Sequence, residues 1–209
     1  MSSAAGRCVV LGAGGHASSV DDVVRSAGWE IVCFGGDSRS ELSAPCVDHE
    51  SAMRTARAEG LPILVAIGDN ARRASLYASI REPDWVEAIV ASSATVADSA
   101  LVGRGTTVHH HAHIGPNARV GTMAIINTRA VVEHDCRVGD GTHVAPGAML
   151  LGGVEVGVGA LIGAGATVLP GLKIGNDTVV GAHALVTRDV EDGSTVVGSP
   201  ATSTRTRSI

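Results

Sequence analysis

From Val90 to Val186 an aliphatic residue falls on every sixth position, seventeen times in succession without a break. The series runs Val90, Val96, Val102, Val108, Ile114, Val120, Ile126, Val132, Val138, Val144, Leu150 and on to Val186. Four residues after each, the side chain is again small or apolar, as at Ala100, Thr106, Ala112, Ala118, Ala124, Ala130 and Cys136. Neither the 3.6-residue period of a helix nor the two-residue period of a flat strand produces this pattern. A hexapeptide repeat does, with each six-residue rung a short strand and a turn, and three rungs closing one triangular coil. The aliphatic side chains then stack inside a prism whose coils lie about 4.8 Å apart. The spacing predicts an all-β left-handed parallel β-helix.

The aromatic residues mark where this region begins. Trp29, Phe34, Tyr77 and Trp85 are the whole aromatic content, 2% of 209 residues, and all precede Val90. A thin prism has no room for rings. The chain therefore divides into a unit over residues 1–85, the β-helix over 90–201, and a flexible polar tail over 202–209. A net charge of −5 argues against nucleic acid, which needs a basic footprint. Cys8, Cys33, Cys46 and Cys136 have no metal-ligand spacing. No signal peptide is expected, and no apolar run reaches the length of a membrane span. A cytoplasmic location is expected, and four free thiols fit a reducing compartment.

The first unit reads as a small Rossmann-like α/β domain with a parallel sheet. Arg7–Leu11 is a short apolar run that enters Gly12-Ala13-Gly14-Gly15-His16, and Val20, Val23 and Val24 follow at helical spacing. Further strands are expected at Glu30–Phe34 and at Ile63–Ile67, the latter followed by Gly68 and a helix through Ser75–Ile80, giving three strands in all. A glycine turn between strand and helix lets backbone approach a phosphate at a helix N-terminus. It is also an ordinary tight connection, because Ala17 and Ser18 stand where a full dinucleotide fingerprint carries its last glycine. Asp37, beyond the second strand, favours the nucleotide reading, since a carboxylate there accepts a ribose or base hydrogen bond. A unit this small suits a mononucleotide carrying a further group.

Seven of the nine histidines lie in the repeat. His109, His110, His111 and His113 cluster, and His134, His143 and His183 follow. Zinc held by three histidines from adjacent rungs is one reading. Five residues after His134 stands Gly139, however, which leaves that ligand set incomplete, and no metal is expected. The HHHAH stretch then reads as a polar rung or a subunit-facing surface. His134 stands between Glu133 and Asp135, and a carboxylate on one ring nitrogen makes the other a general base. The alternative is a solvated residue with incidental acidic neighbours. Cys136 takes the inward small-residue position and reads as core.

Together, GAGGH after the first strand, IGDNARR, INTRAVVEHDCRVGDGTHVAPGA and the closing Val197-Gly198-Ser199-Pro200-Ala201 resemble a known family. It is that of the sialic-acid O-acetyltransferases and the bacillosamine-pathway nucleotide-sugar N-acetyltransferases, and the resemblance runs from Arg7 to Ala201. It implies acetyl-CoA as co-substrate, a nucleotide-activated amino sugar as acceptor, and a homotrimer. His134 matches the catalytic base and Asp135 the acid that strengthens it. Gly14, Gly15 and His16 match the sugar-nucleotide loop, with Asp37 and Gly68 in the other two contacting segments. His143, Ala164 and Ala182 match acetyl-CoA contacts, and the Gly152 N–H is added as an oxyanion donor. The Phe34–Asp37 segment departs from the family's usual acidic or bulkier pair. Transfer to an amino group is expected, with a hydroxyl as the other acceptor. Two rivals are a zinc-dependent hydratase on the same repeat and a non-catalytic β-helix binding module.

Overall fold

The structure is a computed structural model and describes residues 6–37, 41–81 and 84–204. It opens with a parallel sheet of β1 (Arg7–Leu11), β2 (Glu30–Gly35), β3 (Cys46–Val47) and β4 (Ile63–Val65), in the order β3-β2-β1-β4. Three helices accompany it: α1 (Gly15–Ser26), α2 (His49–Glu59) and α3 (Asn70–Ala78). β1 sits between β2 and β4 and is buried from Cys8 to Leu11. The expected three strands are thus four. Cys46–Val47 is too short to show a period, and α2 buries only Ala52 and Ala56, so its apolar stripe is faint. What starts α2 is a cap, the Asp48 carboxylate accepting from Ser51 N at 2.9 Å. The third strand stops at Val65 rather than Ile67. Its following helix starts at Asn70, where Asp69 accepts from Arg72 N.

From Ile89 onward the chain winds as a left-handed parallel β-helix. Parallel partners lie eighteen residues apart, as in Val90 against Val108 and Val132 against Leu150. The hexad aliphatic residues and the small residues four places on form one continuous core from Val108 to Ala201. From Gly105 to His183 every sixth residue sits in the left-handed backbone region at a corner. Several of these are glycines, but His111, Asn117, Met123, Arg129, Asp135, Asp177 and His183 take the same conformation.

The three faces differ in what they present outward. One shows Leu101, Arg119, Arg137, Glu155 and Lys173 and is charged. A second shows Thr95, His113, Val131, Met149, Thr167 and Leu185 and is largely uncharged. The third begins with Ile89, Thr107 and Ile125, all buried, because the α/β unit lies on it. Tyr77 fastens that contact: fully buried, it accepts from Val65 N and donates to Gly105 O, each at 3.1 Å. At the far end Thr202–Ser203 pairs antiparallel with Thr195–Val197, so the tail begins as a strand rather than flexible chain. Residues 205–209 lie outside the described residues.

Candidate active site

Parallel strands bring their carboxyl ends to one edge of the sheet. β1 leads there into Gly12–Gly15, β2 into Gly36 and Asp37, and β4 into Gly68. The order β3-β2-β1-β4 reverses direction beside β1, the place where open α/β sheets receive ligands. Gly12 is fixed by packing: at φ +107°, a Cβ there would lie 2.8 Å from Ala66 O. Gly14 and Gly15 are different, since a Cβ on either meets nothing within 4 Å. The space on their Cβ side is open at the first turn of α1, where the Gly15 and His16 N–H groups enter no hydrogen bond among the described residues and an anion is favoured. Asp37 is exposed at the same edge. A cavity of about 560 Å³ opens instead at the opposite edge, beside Trp29, Pro62 and Arg104, away from these loops.

Behind the glycine turn lies a histidine cluster that changes the expectation for HHHAH. His109 is 1% exposed, not a surface residue, and its ring stacks on His16 at 5.6 Å and 25°. His143 tilts against His16 at 6.3 Å, and its Nε2 lies 3.0 Å from Asn127 Nδ2. Asn127 Oδ1 accepts from Thr128 N, so the amide nitrogen is the donor to His143. Burial, reinforced by the Arg73 guanidinium, pulls both His16 and His143 down to about 4. Burial, then its histidine neighbours, pulls His109 down to about 3. All three are neutral at pH 7. His110, next in sequence, instead lies 3.1 Å from Asp22 on α1.

These shifts have a stability consequence. Each imidazole takes up its proton in the unfolded chain near 6.5 but in the folded chain only near 3 to 4. Between those limits the unfolded state binds more protons, so stability falls as pH falls, by up to about 1.4 kcal/mol per pH unit for each histidine. Melting followed by circular dichroism should show the midpoint dropping steadily from pH 6.5 to 4.5. In His109→Phe the slope should be shallower. Equal slopes would mean that His109 titrates normally.

His134 occupies the opposite side of the molecule. It stands on the corner between the charged and the uncharged faces, and in a triangular prism that corner faces away from the covered third face. His134 Nδ1 lies 2.8 Å from Asp135 Oδ2. The corner's left-handed residue is Asp135 itself, at φ 60°, which turns its side chain back onto its neighbour. Asn117 Nδ2 holds the other carboxylate oxygen at 3.2 Å. The His134 bond first, then that from Asn117, hold the Asp135 carboxyl below the usual range, so it accepts and Nδ1–H donates. Nε2 is left with its lone pair. It points at Gly152, one coil on, where a Cβ would lie 2.5 Å from Nε2. Among the described residues the Gly152 N–H enters no hydrogen bond. Cys136 is buried beneath this corner, and burial pushes its thiol up.

The expected site residues therefore form separate groups in one chain. Gly14, Gly15, His16, Asp37, Gly68 and His143 gather at the sheet edge. His134, Asp135 and Gly152 gather at the opposite corner. Ala164 and Ala182 lie on a third site, the corner between the uncharged and covered faces, joined by His183 N to Ala164 O at 2.8 Å. Sequence reasoning passed over Asn117, Asn127 and Arg73. Asn117 was detectable as a polar residue one coil from Asp135, and Asn127 as one two places beyond the register partner of His143. Among the described residues no group of three or more His, Cys, Asp or Glu is arranged to hold a metal ion, and no helix is long and apolar enough to cross a membrane.

Comparison with known proteins covers the same two units. The profile of the PglD N-terminal domain matches residues 7–80. PerB from Caulobacter crescentus, crystallised with CoA and GDP-perosamine, is 38% identical, with a TM-score of 0.89 over 97% of this chain and 98% of that one. The acetyltransferase domain of PglB from Neisseria gonorrhoeae, in complex with acetyl coenzyme A, is 30% identical, with a TM-score of 0.88 over 96% and 100%. WeeI from Acinetobacter baumannii is 27% identical, with a TM-score of 0.83 over 95% and 100%.

Proposed function

Because the chain belongs to the β-helix nucleotide-sugar N-acetyltransferase family of these relatives, we propose that it moves an acetyl group from acetyl-CoA to an amino group of a nucleotide-linked sugar. The α/β unit, residues 1–85, holds the nucleotide sugar over Gly14, Gly15, His16, Asp37 and Gly68. The β-helix, residues 90–201, holds acetyl-CoA, with Ala164 and Ala182 against the pantetheine arm and His143 at the cleft. His134 Nε2 accepts the proton that the amine loses as its nitrogen attacks the thioester carbonyl. Asp135 holds the imidazole and stabilises the imidazolium, and the Gly152 N–H faces the developing oxyanion. The tetrahedral intermediate collapses with loss of the CoA thiolate, which leaves as the thiol. The observation that carries this reading is the Asp135–His134–Gly152 alignment, a bound ring with one free nitrogen facing an open glycine. A hydroxyl acceptor would use the same atoms.

The site is assembled between subunits of a homotrimer. The supporting geometry is that the glycine loop and His134 lie on opposite sides of one prism, so a sugar held by one cannot reach the other. His134 is also 61% exposed in a single chain, too open for an acyl transfer that excludes water. A neighbour that brings its α/β unit, with the nucleotide loop, against this corner closes it. Both substrates are metabolites of the cytoplasm, where the reading places the enzyme. The test is a screen of UDP-, GDP- and dTDP-linked amino sugars with acetyl-CoA, read by release of free thiol. Turnover dependent on one of them is expected, and none with any would overturn the reading.

The empty space at Gly15 gives a sharper prediction for the loop. Gly15→Val should fold normally, since nothing in the protein opposes the side chain, yet intrude on a diphosphate lying against the backbone. Calorimetric titration should show nucleotide-sugar affinity reduced by at least roughly tenfold, about 1.4 kcal/mol, with acetyl-CoA affinity intact. Unchanged nucleotide-sugar affinity would remove the loop from the site.

A further inference from the structure

Arg73 is 1% exposed, on α3, in the IGDNARR segment that links β4 to the prism. A guanidinium has five N–H groups, and here all five are used. Nε donates to Met123 O at 2.8 Å, one terminal nitrogen to Ile67 O at 3.0 Å and Gly68 O at 3.1 Å, and the other to Asn70 Oδ1 at 2.8 Å and Gly141 O at 2.6 Å. Four acceptors are backbone carbonyls, one is an amide, and none is a carboxylate. Two of the carbonyls belong to the loop after β4, and two to one corner of the prism in successive coils. Asn70 extends the clamp, donating to Gly159 O and Ala160 O one coil further on. Core packing alone does not call for a buried cation. Fixing one loop against three coils does, and only the rigid fork of arginine reaches all five acceptors.

We infer that Arg73 is a positioning residue of the transfer site, locking the Gly68 segment, which lies against the His16 ring, onto the prism and setting a fixed positive charge near the His16–His143 pair. This rests on the nucleotide-sugar reading above. The charged and titratable groups around the pair are Arg73, His109 and, beyond them, Asp69, Tyr77 and His110. Burial lowers Arg73 to about 10, and it stays charged at pH 7. Burial sets most of the depression of His16 and His143, and the guanidinium adds to it. The loop is thereby presented to the substrate with two neutral imidazoles in one orientation, so the acceptor meets a rigid wall instead of a titrating one.

Two variants separate positioning from mere stability. Arg73→Lys keeps the charge but has three donors for five acceptors. It should raise the nucleotide-sugar KM by about tenfold or more, as misplacement of a binding element does, with the pH profile unchanged. Arg73→Met removes the charge. The imidazole ¹⁵N signals of His16 and His143, followed by NMR without substrate, should then titrate at higher pH than in the wild type. A folded Arg73→Met with wild-type imidazole titration, or an Arg73→Lys with wild-type KM, would overturn the inference. Should Arg73→Met fail to fold, Arg73→Lys decides by its KM. The NMR titration uses no substrate, so it stands even if the wild type acetylates no nucleotide sugar, an outcome that would overturn only the functional reading.

Discussion

Replacing His134 with alanine should lower kcat by roughly 10²–10⁴ while leaving the affinity for both substrates nearly unchanged. The imidazole touches the reacting amine only as its proton departs, so its loss appears in the transition state and not in the ground state. The side chain is also exposed in the single chain, so its removal opens no cavity. Asp135→Asn should cost less, because it leaves the base present but no longer oriented by a carboxylate. Since the carboxyl of Asp135 is held below the usual range, the pair should persist through neutral pH and dissolve only in more acidic solution. Initial rates of thiol release at saturating substrate give kcat for each variant. Near-wild-type turnover in His134→Ala would remove this histidine from the chemistry.

Gly152→Ala is the second large effect, and an unusual one for a single methyl group. The new Cβ would stand 2.5 Å from Nε2 and 2.6 Å from Cε1 of His134. Contact that close is not sustainable, and the imidazole, being the far end of an exposed side chain, is what yields. Folding should survive with little change in melting temperature. The ring, however, must swing off the 2.8 Å bond to Asp135, and the methyl occupies the space in front of the basic nitrogen where the amine approaches. A loss in kcat of roughly 10²-fold or more is expected, comparable to deleting a general base. If Gly152→Ala kept full activity, Nε2 would not be the proton acceptor.

The prism was legible because a six-residue period leaves no other solution, and the corner geometry followed from it. Asp135, Gly152 and Asn117 fall on the His134 corner by counting in steps of eighteen with one-residue offsets. The α/β unit was legible in β1, β2 and the glycine turn, where apolar runs end at turn residues. It was not legible in α2, whose buried stripe is two alanines, or in Cys46–Val47, which joins the sheet only because β2 supplies an edge. Arg73 and His109 escaped for another reason. Their partners are backbone carbonyls and a ring from a different unit, and main-chain groups leave no mark in a side-chain pattern. His109 looked like part of a polar surface run because its neighbours are polar. Only the docking of α1 and the glycine turn onto that face buries it.

Whether one active site draws on two subunits is best measured by mixing two variants, one impaired in the nucleotide loop and one in the base. Gly15→Val removes the nucleotide loop from a chain and leaves its His134, and His134→Ala does the reverse. Co-expressed in equal amounts, they should assemble mixed trimers in which about a quarter of the interfaces pair an intact loop with an intact neighbouring histidine. At a nucleotide-sugar concentration well below the wild-type KM, where the weakened loop of Gly15→Val shows as lost rate, thiol release should recover to roughly that fraction of wild type, well above the mean of the two variants alone. Activity no greater than the mean of the two separate variants would show that loop and histidine must come from the same chain, and would contradict the intersubunit site.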